Sequence, residues 1–458
     1  MEKLITMNKS ILFISANQLK EPYPVYPLGI SYLVSYLEEH LPDLKILLFD
    51  FNKNDYSELV QLIKKEHPKY IGVSFRNIDD VNFYAKNSYI AHYKAIVDLV
   101  KVNSKATIII GGPGYSIFPI EMYNLLQPDF GIYGEGEISL YKLINILENN
   151  KNNFEDVPRL IYKKDNKTIF NQKGNSTLQP KTSYNKELTD YYWQNSGMLN
   201  IQTKRGCPYN CIYCTYPLIE GKNVRTHNPE ILVENIEKYL YENNVDYFFF
   251  TDSLFNLKNK FNYKFAELIL RKNIKFKWGA YFNFKNLPED LLVLLKRAGL
   301  THIEFGTDSL CDITLNSYRK PFTFEEILNT SDICNKLDID FAHFLILGGY
   351  GETKGTLKET FENSKKIGRT VFFTFVGMRI YPNTELYKIA INEGKIQPTD
   401  DLLLPKYYVT EEYNEEFVKQ LAKESGKRWV FPDEDSSAII NKLRMKGKKG
   451  PLWEYLTK

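Results

Sequence analysis

Three of the five cysteines are clustered in the segment Cys207-Pro-Tyr-Asn-Cys211-Ile-Tyr-Cys214, where they could act together as metal ligands. Thiolates select zinc or iron–sulfur clusters. A structural zinc site takes four ligands, and no second pair follows at zinc-finger spacing, because the next histidine, His227, stands alone. Three thiolates on a four-iron cluster leave one iron open to nitrogen and oxygen donors. The pattern therefore favours a 4Fe-4S cluster over zinc or three incidental thiols.

The cysteine segment follows the first strand of a β-α alternation. Apolar runs predict six strands, near residues 199–203, 247–251, 276–282, 302–305, 341–347 and 371–380. Amphipathic segments predict the helices between them, at 230–242, 261–272, 289–298, 324–336 and 356–367. Six β-α units predict a partial barrel of the TIM type, with its site at the carboxyl ends of the strands.

A Cys-x-x-x-Cys-x-x-Cys segment at the start of such a barrel resembles the radical S-adenosylmethionine (SAM) superfamily, and the resemblance spans residues 198 to about 386. It implies that the open iron binds the amino and carboxylate groups of SAM. It also implies that Tyr213, the residue before the last cysteine, packs on the adenine.

Other barrel positions carry implied contacts with SAM. Thr251, Asp252 and Ser253 end the second strand where the family often has Gly-Gly-Glu, and they would replace that motif in holding the methionine amino group. Glu304 lies in a stretch resembling the family's Glu-Ser-Gly and would address the ribose and carboxylate, with a structural ion pair as the alternative. Arg319 would pair with the carboxylate or lie on the surface.

The last two strands complete the implied site. Gly348 would let the backbone approach the adenine closely. The segment Arg379-Ile-Tyr381-Pro-Asn-Thr resembles the Arg-x-Tyr-Pro-x-Thr signature of cobalamin-dependent members. Arg379 and Tyr381 are therefore expected to face the substrate cavity, the alternative being contacts that close the fold.

The N-terminal part shows a separate alternation. Strands are predicted at 11–15, 46–49, 70–74, 107–110 and 130–133, with helices at 27–39, 59–65, 91–102 and 138–148. Five such units predict a doubly wound, Rossmann-like parallel sheet with a ligand site at the carboxyl ends of its strands.

The loops of this sheet lack the motifs of nucleotide sites, because neither Gly-x-Gly-x-x-Gly nor a P-loop is present. Residues 11–147 instead resemble the cobalamin-binding domain fused to radical SAM enzymes. The residues implied to bind cobalamin follow the third, fourth and fifth strands: Ser74, Phe75, Asn77, Asp79, Gly111, Gly112, Gly114, Tyr115, Gly134, Glu135, Gly136 and Glu137.

The Asp-x-His-x-x-Gly motif that supplies a lower cobalt ligand in many cobalamin proteins is missing from the sequence. The resemblance therefore implies a base-off cobalt without a histidine ligand, with Phe75 and Arg76 under the corrin. An arginine there would discourage a lower ligand and make the methylated cofactor more reactive. The alternative role for Arg76 is to bind the corrin periphery.

Composition narrows the class of partner. The chain has 458 residues, with 59 Lys and Arg against 56 Asp and Glu, so a net charge of +3 offers no case for nucleic acid as the main partner. No apolar run is long enough to span a membrane, and the first residues read as a strand, not a signal peptide. We expect a cytoplasmic protein that does not bind membranes.

Four regions follow from these patterns. We predict a cobalamin-binding domain over 1–150, a linker over 151–195 with room for one hairpin, a radical SAM partial barrel over 196–393 and a small helical extension over 394–458.

The two resemblances together imply a cobalamin-dependent radical SAM methyltransferase. It would move a methyl group from SAM through methylcobalamin to a carbon or phosphorus of a small-molecule or peptide substrate, for instance an aromatic such as an indole. Radical and polar routes both stay open, and a flavodoxin or ferredoxin would supply electrons. The alternatives are a cyclase or rearrangement enzyme without methyl transfer, and a non-enzymatic corrinoid and iron–sulfur sensor.

Overall fold

The computed structural model describes residues 9–172, 174, 182, 184–435 and 437–457. Its first sheet contains β1 (Ser10–Ser15), β2 (Lys45–Asp50), β3 (Tyr70–Ser74), β4 (Thr107–Gly111), β5 (Phe130–Ile132), β6 (Leu160–Lys164) and β7 (Lys167–Phe170). The order is β2-β1-β3-β4-β5-β6-β7. The five strands β1–β5 are parallel, which confirms the doubly wound sheet.

Helices cover this sheet: α1 (Leu28–His40), α2 (Tyr56–Glu66), α3 (Ile90–Asn103), α4 (Pro113–Ile117), α5 (Pro119–Leu126) and α6 (Glu137–Glu148). The amphipathic pattern predicted four of them. The short helices α4 and α5, each of which begins with a proline, were not predicted.

A hairpin does form in the segment expected to be a linker. Its strands β6 and β7 extend the first sheet, since β6 pairs antiparallel with β5. A 3-10 turn at Phe154–Asp156 leads into it.

The second half contains β8 (Leu199–Ile201), β9 (Lys204–Arg205), β10 (Arg225–Thr226), β11 (Tyr247–Phe250), β12 (Lys277–Phe282), β13 (Leu300–Asp308), β14 (Asp340–Leu347), β15 (Val371–Val376), β16 (Met378–Arg379), β17 (Tyr407–Tyr408) and β18 (Arg428–Val430). Seven of these form one parallel sheet in the order β18-β15-β14-β13-β12-β11-β8. The pairs β9–β10 and β16–β17 are short antiparallel ribbons.

The helices of this half are α7 (Lys186–Ser196), α8 (Tyr216–Ile219), α9 (Pro229–Asn243), α10 (Asn259–Arg271), α11 (Glu289–Arg297), α12 (Asp312–Ser317), α13 (Phe324–Lys336), α14 (Lys354–Ser364), α15 (Glu385–Asn392), α16 (Glu415–Ser425) and α17 (Ser437–Met445), with 3-10 turns at Phe255–Leu257 and Trp453–Leu456. None of the helices in the described part of the chain is both long and apolar enough to span a membrane.

The C-terminal extension is not simply helical, as predicted, but completes the barrel. Its strand β18 pairs in parallel with β15 and adds a seventh strand to the six expected. Trp453 packs with Val371 and Val430, and so covers the end of the barrel where the strands begin. A strand of three residues carries too little periodicity to be predicted from sequence.

Candidate active site

The loop after β9 carries Cys207, Cys211 and Cys214, all free thiols in the structure. Backbone bonds fold this loop back on itself, since Cys207 N donates to Gly221 O at 3.1 Å. Gly206 has a φ of 95°. A Cβ at Gly206 would lie 2.2 Å from a backbone oxygen of Asn223, so only glycine fits where the loop begins.

The three thiols lie near one another, Cys207 buried and Cys211 and Cys214 half-buried. Burial raises the pKa of each, that of Cys214 to about 12, and the neighbouring Cys211 adds to the rise. Three thiolates here need a compensating cation, which iron would supply. Within the described residues, no three His, Cys, Asp or Glu side chains lie close enough to hold a single ion. A cluster of several irons takes its thiolates on separate iron atoms, and these cysteines fit that arrangement.

Three groups beside the cysteines form a buried chain of contacts. Tyr213 Oη donates to Asp308 Oδ2 at 2.5 Å, and Lys320 Nζ lies 2.9 Å from the same oxygen. Lys320 also lowers the pKa of Cys211 and Cys214. Neither Asp308 nor Lys320 was predicted from the sequence. Of the two roles left open for Arg319, the structure shows the surface one, because Arg319 is half exposed and pairs with Glu385.

Strand β13 explains why Asp308 was missed. The strand was predicted to end at residue 305 but continues to residue 308, with an irregularity in its pairing between Gly306 and Asp308, and Asp308 contacts Tyr213 and Lys320. A Cβ at Gly306 would meet no atom within 4 Å, so open space lies beside this part of the strand. Glu304, earlier on the same strand, accepts a hydrogen bond from Trp453.

The residues at the end of β11 support the cysteine loop. Asp252 accepts hydrogen bonds from the backbone N–H groups of Thr203 and Lys204 and pairs with Lys204 Nζ at 3.3 Å. Thr251 donates to Ile201 O at 3.2 Å, and Ser253 donates to Gly206 O at 3.3 Å. Asp252 thus has both oxygens engaged inside the protein, contrary to its expected role in holding SAM.

Arg379 makes the fold-closing contacts that were the alternative to facing the substrate cavity, because its donors are used within the chain. Its Nε donates to Asp79 at 2.8 Å, and Nη1 and Nη2 donate to the carbonyls of Ile380 and Leu402 at 2.7 Å. This ion pair is almost fully buried and also occupies Asp79, an expected cobalamin contact.

Tyr381 and Gly348 lie close to that pair and to the later part of the chain. The ring of Tyr381 lies 4.9 Å from the Arg379 guanidinium. Gly348 has a φ of 76°, and a Cβ there would lie 3.0 Å from Tyr413. Their expected contacts with substrate and adenine stay predictions.

Two aromatic residues expected at the cobalamin face are core residues instead. Phe75 is completely buried and stacks on Tyr93, with ring centroids 4.3 Å apart. Tyr115 is also completely buried, and its hydroxyl occupies the space beside Gly131. Both side chains are held in the layer between the first sheet and its helices, so neither can lie under a corrin.

The glycines at this edge let two loops pack tightly. Gly112 has a φ of 100°, and a Cβ on it would lie 2.6 Å from Phe75 O. A Cβ atom on Gly114 would lie 3.2 Å from the same oxygen, Phe75 O. The strand ends also carry Ser74, Asn77, Gly111, Gly134 and Gly136, whose contacts with a cofactor stay predictions.

The two acidic residues after β5 bind the cysteine loop. Arg225 donates to both oxygens of Glu135, to Oε2 at 2.8 Å. Arg205 lies 3.5 Å from Glu135 and 2.8 Å from Glu137. Glu135 and Glu137, expected as cobalamin contacts, therefore join the first sheet to the loop that holds the cysteines.

A group of polar side chains interacts electrostatically where the two halves meet. Desolvation raises the pKa of Tyr23, Tyr216 and Tyr281, although Tyr23 and Tyr281 are only half-buried and Tyr216 is 39% exposed. Arg76 acts electrostatically on all three tyrosines, and Glu304 acts on two of them. We call the region between Tyr23, Arg76, Tyr216, Tyr281 and Glu304 the central chamber.

Most polar groups of the central chamber have no partner among the described residues, the exception being Glu304 Oε1, which Trp453 engages. Among the described residues, no hydrogen bond or ion pair engages the hydroxyls of the three tyrosines or the guanidinium of Arg76. Arg76 is half-buried, and its expected place under the corrin or at the corrin periphery stays a prediction. Tyr23, Tyr216 and Tyr281 carried no motif that could have revealed them. Unpaired polar groups around an internal space are typical of a ligand site.

Two family models match the chain. Residues 201–363 match the radical SAM superfamily, and residues 17–144 match the B12 binding domain. An uncharacterized methyltransferase of Pyrococcus horikoshii is 25% identical over 403 residues, which cover 84% of each chain. Tryptophan 2-C-methyltransferase of Streptomyces laurentii is 21% identical over 445 residues, covering 83% of this chain and 74% of that protein.

A solved structure shares the whole architecture. The radical SAM methyltransferase TsrM of Kitasatospora setae, determined with tryptophan substrate and a SAM analogue, superimposes with a TM-score of 0.85 at 18% identity. The superposition covers 97% of this chain and 96% of that one. Another structure of TsrM contains cobalamin and a 4Fe-4S cluster. This likeness confirms the two-part fold.

Proposed function

Because the chain belongs to the cobalamin-dependent radical SAM enzymes of the methyltransferase type, we propose that it transfers a methyl group to a carbon atom of a small aromatic molecule. In the net reaction, SAM loses its methyl group and becomes S-adenosylhomocysteine. A substrate C–H bond is replaced by C–CH3, and one proton is released.

The central chamber is the observation that carries this proposal. Three tyrosines bound it, and tyrosine rings pack well on flat aromatic molecules while their hydroxyls bind polar groups. Tyr216 lies close enough to Cys214 and to Arg76 to interact with both charges, so this region adjoins the cysteine loop and the Arg76 loop. Because Trp453 covers the far end of the barrel, the space suits a small molecule better than a long peptide.

Different residues of the chain would hold the two cofactors. Cys207, Cys211 and Cys214 would hold the cluster, and the glycine-rich strand ends with Arg76 would hold cobalamin. When bound, these cofactors would supply electrons to SAM and relay its methyl group. Asp308 and Lys320 fix Tyr213 beside the cysteines, which keeps its ring available to pack on SAM.

The relatives support an aromatic substrate. The Streptomyces laurentii relative is named for methylation of tryptophan, and the Kitasatospora setae structure contains tryptophan as substrate. We propose the same broad class for this chain, an aromatic ring methylated on carbon.

Product analysis tests the proposal. Protein loaded anaerobically with iron, sulfide and cobalamin would be incubated with trideuteriomethyl-SAM and a panel of indoles and phenols. Mass spectrometry should find S-adenosylhomocysteine and an aromatic product carrying the labelled methyl group. Formation of 5′-deoxyadenosine without any methylated product would instead indicate a cyclase or rearrangement enzyme. No turnover of SAM with any aromatic would contradict the proposal.

A further inference from the structure

Glu304 is a carboxylate inside the barrel with one oxygen engaged and one free. Its side chain is 3% exposed on the inner face of β13. Trp453 Nε1 donates to its Oε1 at 3.0 Å. Within the described part of the chain Oε2 has no hydrogen-bond partner, yet it is not sealed off by neighbouring atoms. This oxygen is therefore open to a neighbouring space, and Tyr23 and Tyr281 lie close enough to interact with its charge.

The groups around Glu304 leave its charge uncompensated. Tyr23 and Tyr281 face it from the loop after β1 and from β12, and Tyr247 lies nearby on β11. One layer below, His302 lies 2.8 Å from the Tyr247 hydroxyl and 3.2 Å from Glu454.

The nearest arginines do not reach Glu304. Arg76 and Arg444 act on Tyr23, and neither forms an ion pair with Glu304 in the described chain. Burial accordingly raises the pKa of Glu304 to about 7.

A buried carboxylate oxygen without a partner is costly unless something binds it. The missing partner must be a hydrogen-bond donor, and a donor on nitrogen makes the strongest contact with a carboxylate. The donor must also belong to a molecule that fits between tyrosine rings.

We propose that Glu304 accepts a hydrogen bond from a nitrogen-bound hydrogen of the substrate, and that Trp453 positions the carboxylate for it. The substrate is then an aromatic molecule bearing a protonated amine or a ring N–H. This inference rests on the function proposed above, but its test needs no methyl transfer, so either can fail without the other.

Binding of three small probes tests the contact. Calorimetry at pH 8, where the Glu304 carboxyl is mostly ionised, would compare cofactor-loaded protein with its Glu304→Gln variant. The probes are 3-methylindole, which has a ring N–H, 2-phenylethylamine, which has an ammonium group, and 3-methylbenzofuran, which has neither. At least one nitrogen probe should bind about tenfold or more weakly to the variant, as expected for loss of one charge-assisted bond.

The benzofuran separates recognition from a general change of shape. It should bind both proteins equally, because it offers no donor to Glu304. Whichever nitrogen probe loses affinity in the variant would also show whether Glu304 binds an amine or a ring N–H. Equal binding of both nitrogen probes to the two proteins, a parallel loss for all three, or no binding of any probe to the unmodified protein would overturn the inference.

A second pair of variants tests the positioning role of Trp453. Its N–H lowers the pKa of Glu304, so Trp453→Phe should move the pH dependence of nitrogen-probe binding to higher pH. Trp429→Phe is the matched control, because the Trp429 N–H binds Ser425 in the outer layer of the barrel. An identical shift, or no shift, in both variants would mean that Trp453 acts only in packing.

Discussion

Arg379 and Asp79, 300 positions apart in the chain, form an ion pair of 2.8 Å that is buried between its two halves. Removing one partner leaves the other charged and buried. We expect Arg379→Met to lower the free energy of unfolding by about 3–5 kcal/mol, measured by denaturant unfolding.

An exposed arginine pair provides the control for this prediction. Arg319→Met breaks a surface pair with Glu385 and should cost about 1 kcal/mol or less. If the two variants lost similar stability, the buried pair would not be what holds the halves together.

Alanine variants at the five cysteines should fall into two groups that differ in the iron content of the protein. Alanine at Cys207, Cys211 or Cys214 should abolish the iron–sulfur absorption of anaerobically reconstituted protein, because each removes a cluster ligand. Cys311 and Cys334 are buried away from the loop, so alanine there should leave the iron content unchanged. Full iron content after loss of all three loop cysteines would refute the cluster assignment.

Substitution of Arg76 should change the spectrum of bound cobalamin while it leaves the free energy of unfolding almost unchanged. Since the guanidinium has no ion-pair partner in the described chain, Arg76→Gln should change the unfolding free energy by about 0.5 kcal/mol or less. The visible spectrum of bound cobalamin should change, because a charge near the corrin is lost. An unchanged spectrum in every oxidation state would rule out that placement.

Glu304 should make stability depend on pH in a direction opposite to that of most carboxyl groups. Its pKa is raised to about 7 in the folded protein, so the folded state binds more protons than the unfolded state between about pH 4.5 and 7. Stability from this group is present below pH 4.5 and is lost as the pH rises through 7.

Glu304→Gln removes this effect. Relative to the unmodified protein, the variant should gain stability between pH 5 and pH 8, by an amount on the order of 3 kcal/mol. Urea unfolding at both pH values measures it. Parallel pH profiles of the two proteins would mean that Glu304 is not desolvated.

Periodicity was enough to predict the two β-α alternations, because buried parallel strands and amphipathic helices leave strong patterns. The cysteine spacing likewise located the metal site. The directions in which individual side chains point could not be predicted from the sequence. Arg319 and Lys320 are adjacent, and only the fold decides that Lys320 turns inward. Asp79 and Arg379 were both assigned to ligands because nothing in the sequence shows that they meet.

The late position of β18 and Trp453 has a consequence for synthesis of the protein. The first sheet and six barrel strands leave the ribosome before the residues that supply the barrel's edge strand and cover its far end. Until residues 428–456 emerge, the carboxylate of Glu304 and the inner face of β13 remain open to water. The barrel can therefore gain its last edge strand and the Trp453 contact with Glu304 only after residues 428–456 have been synthesised.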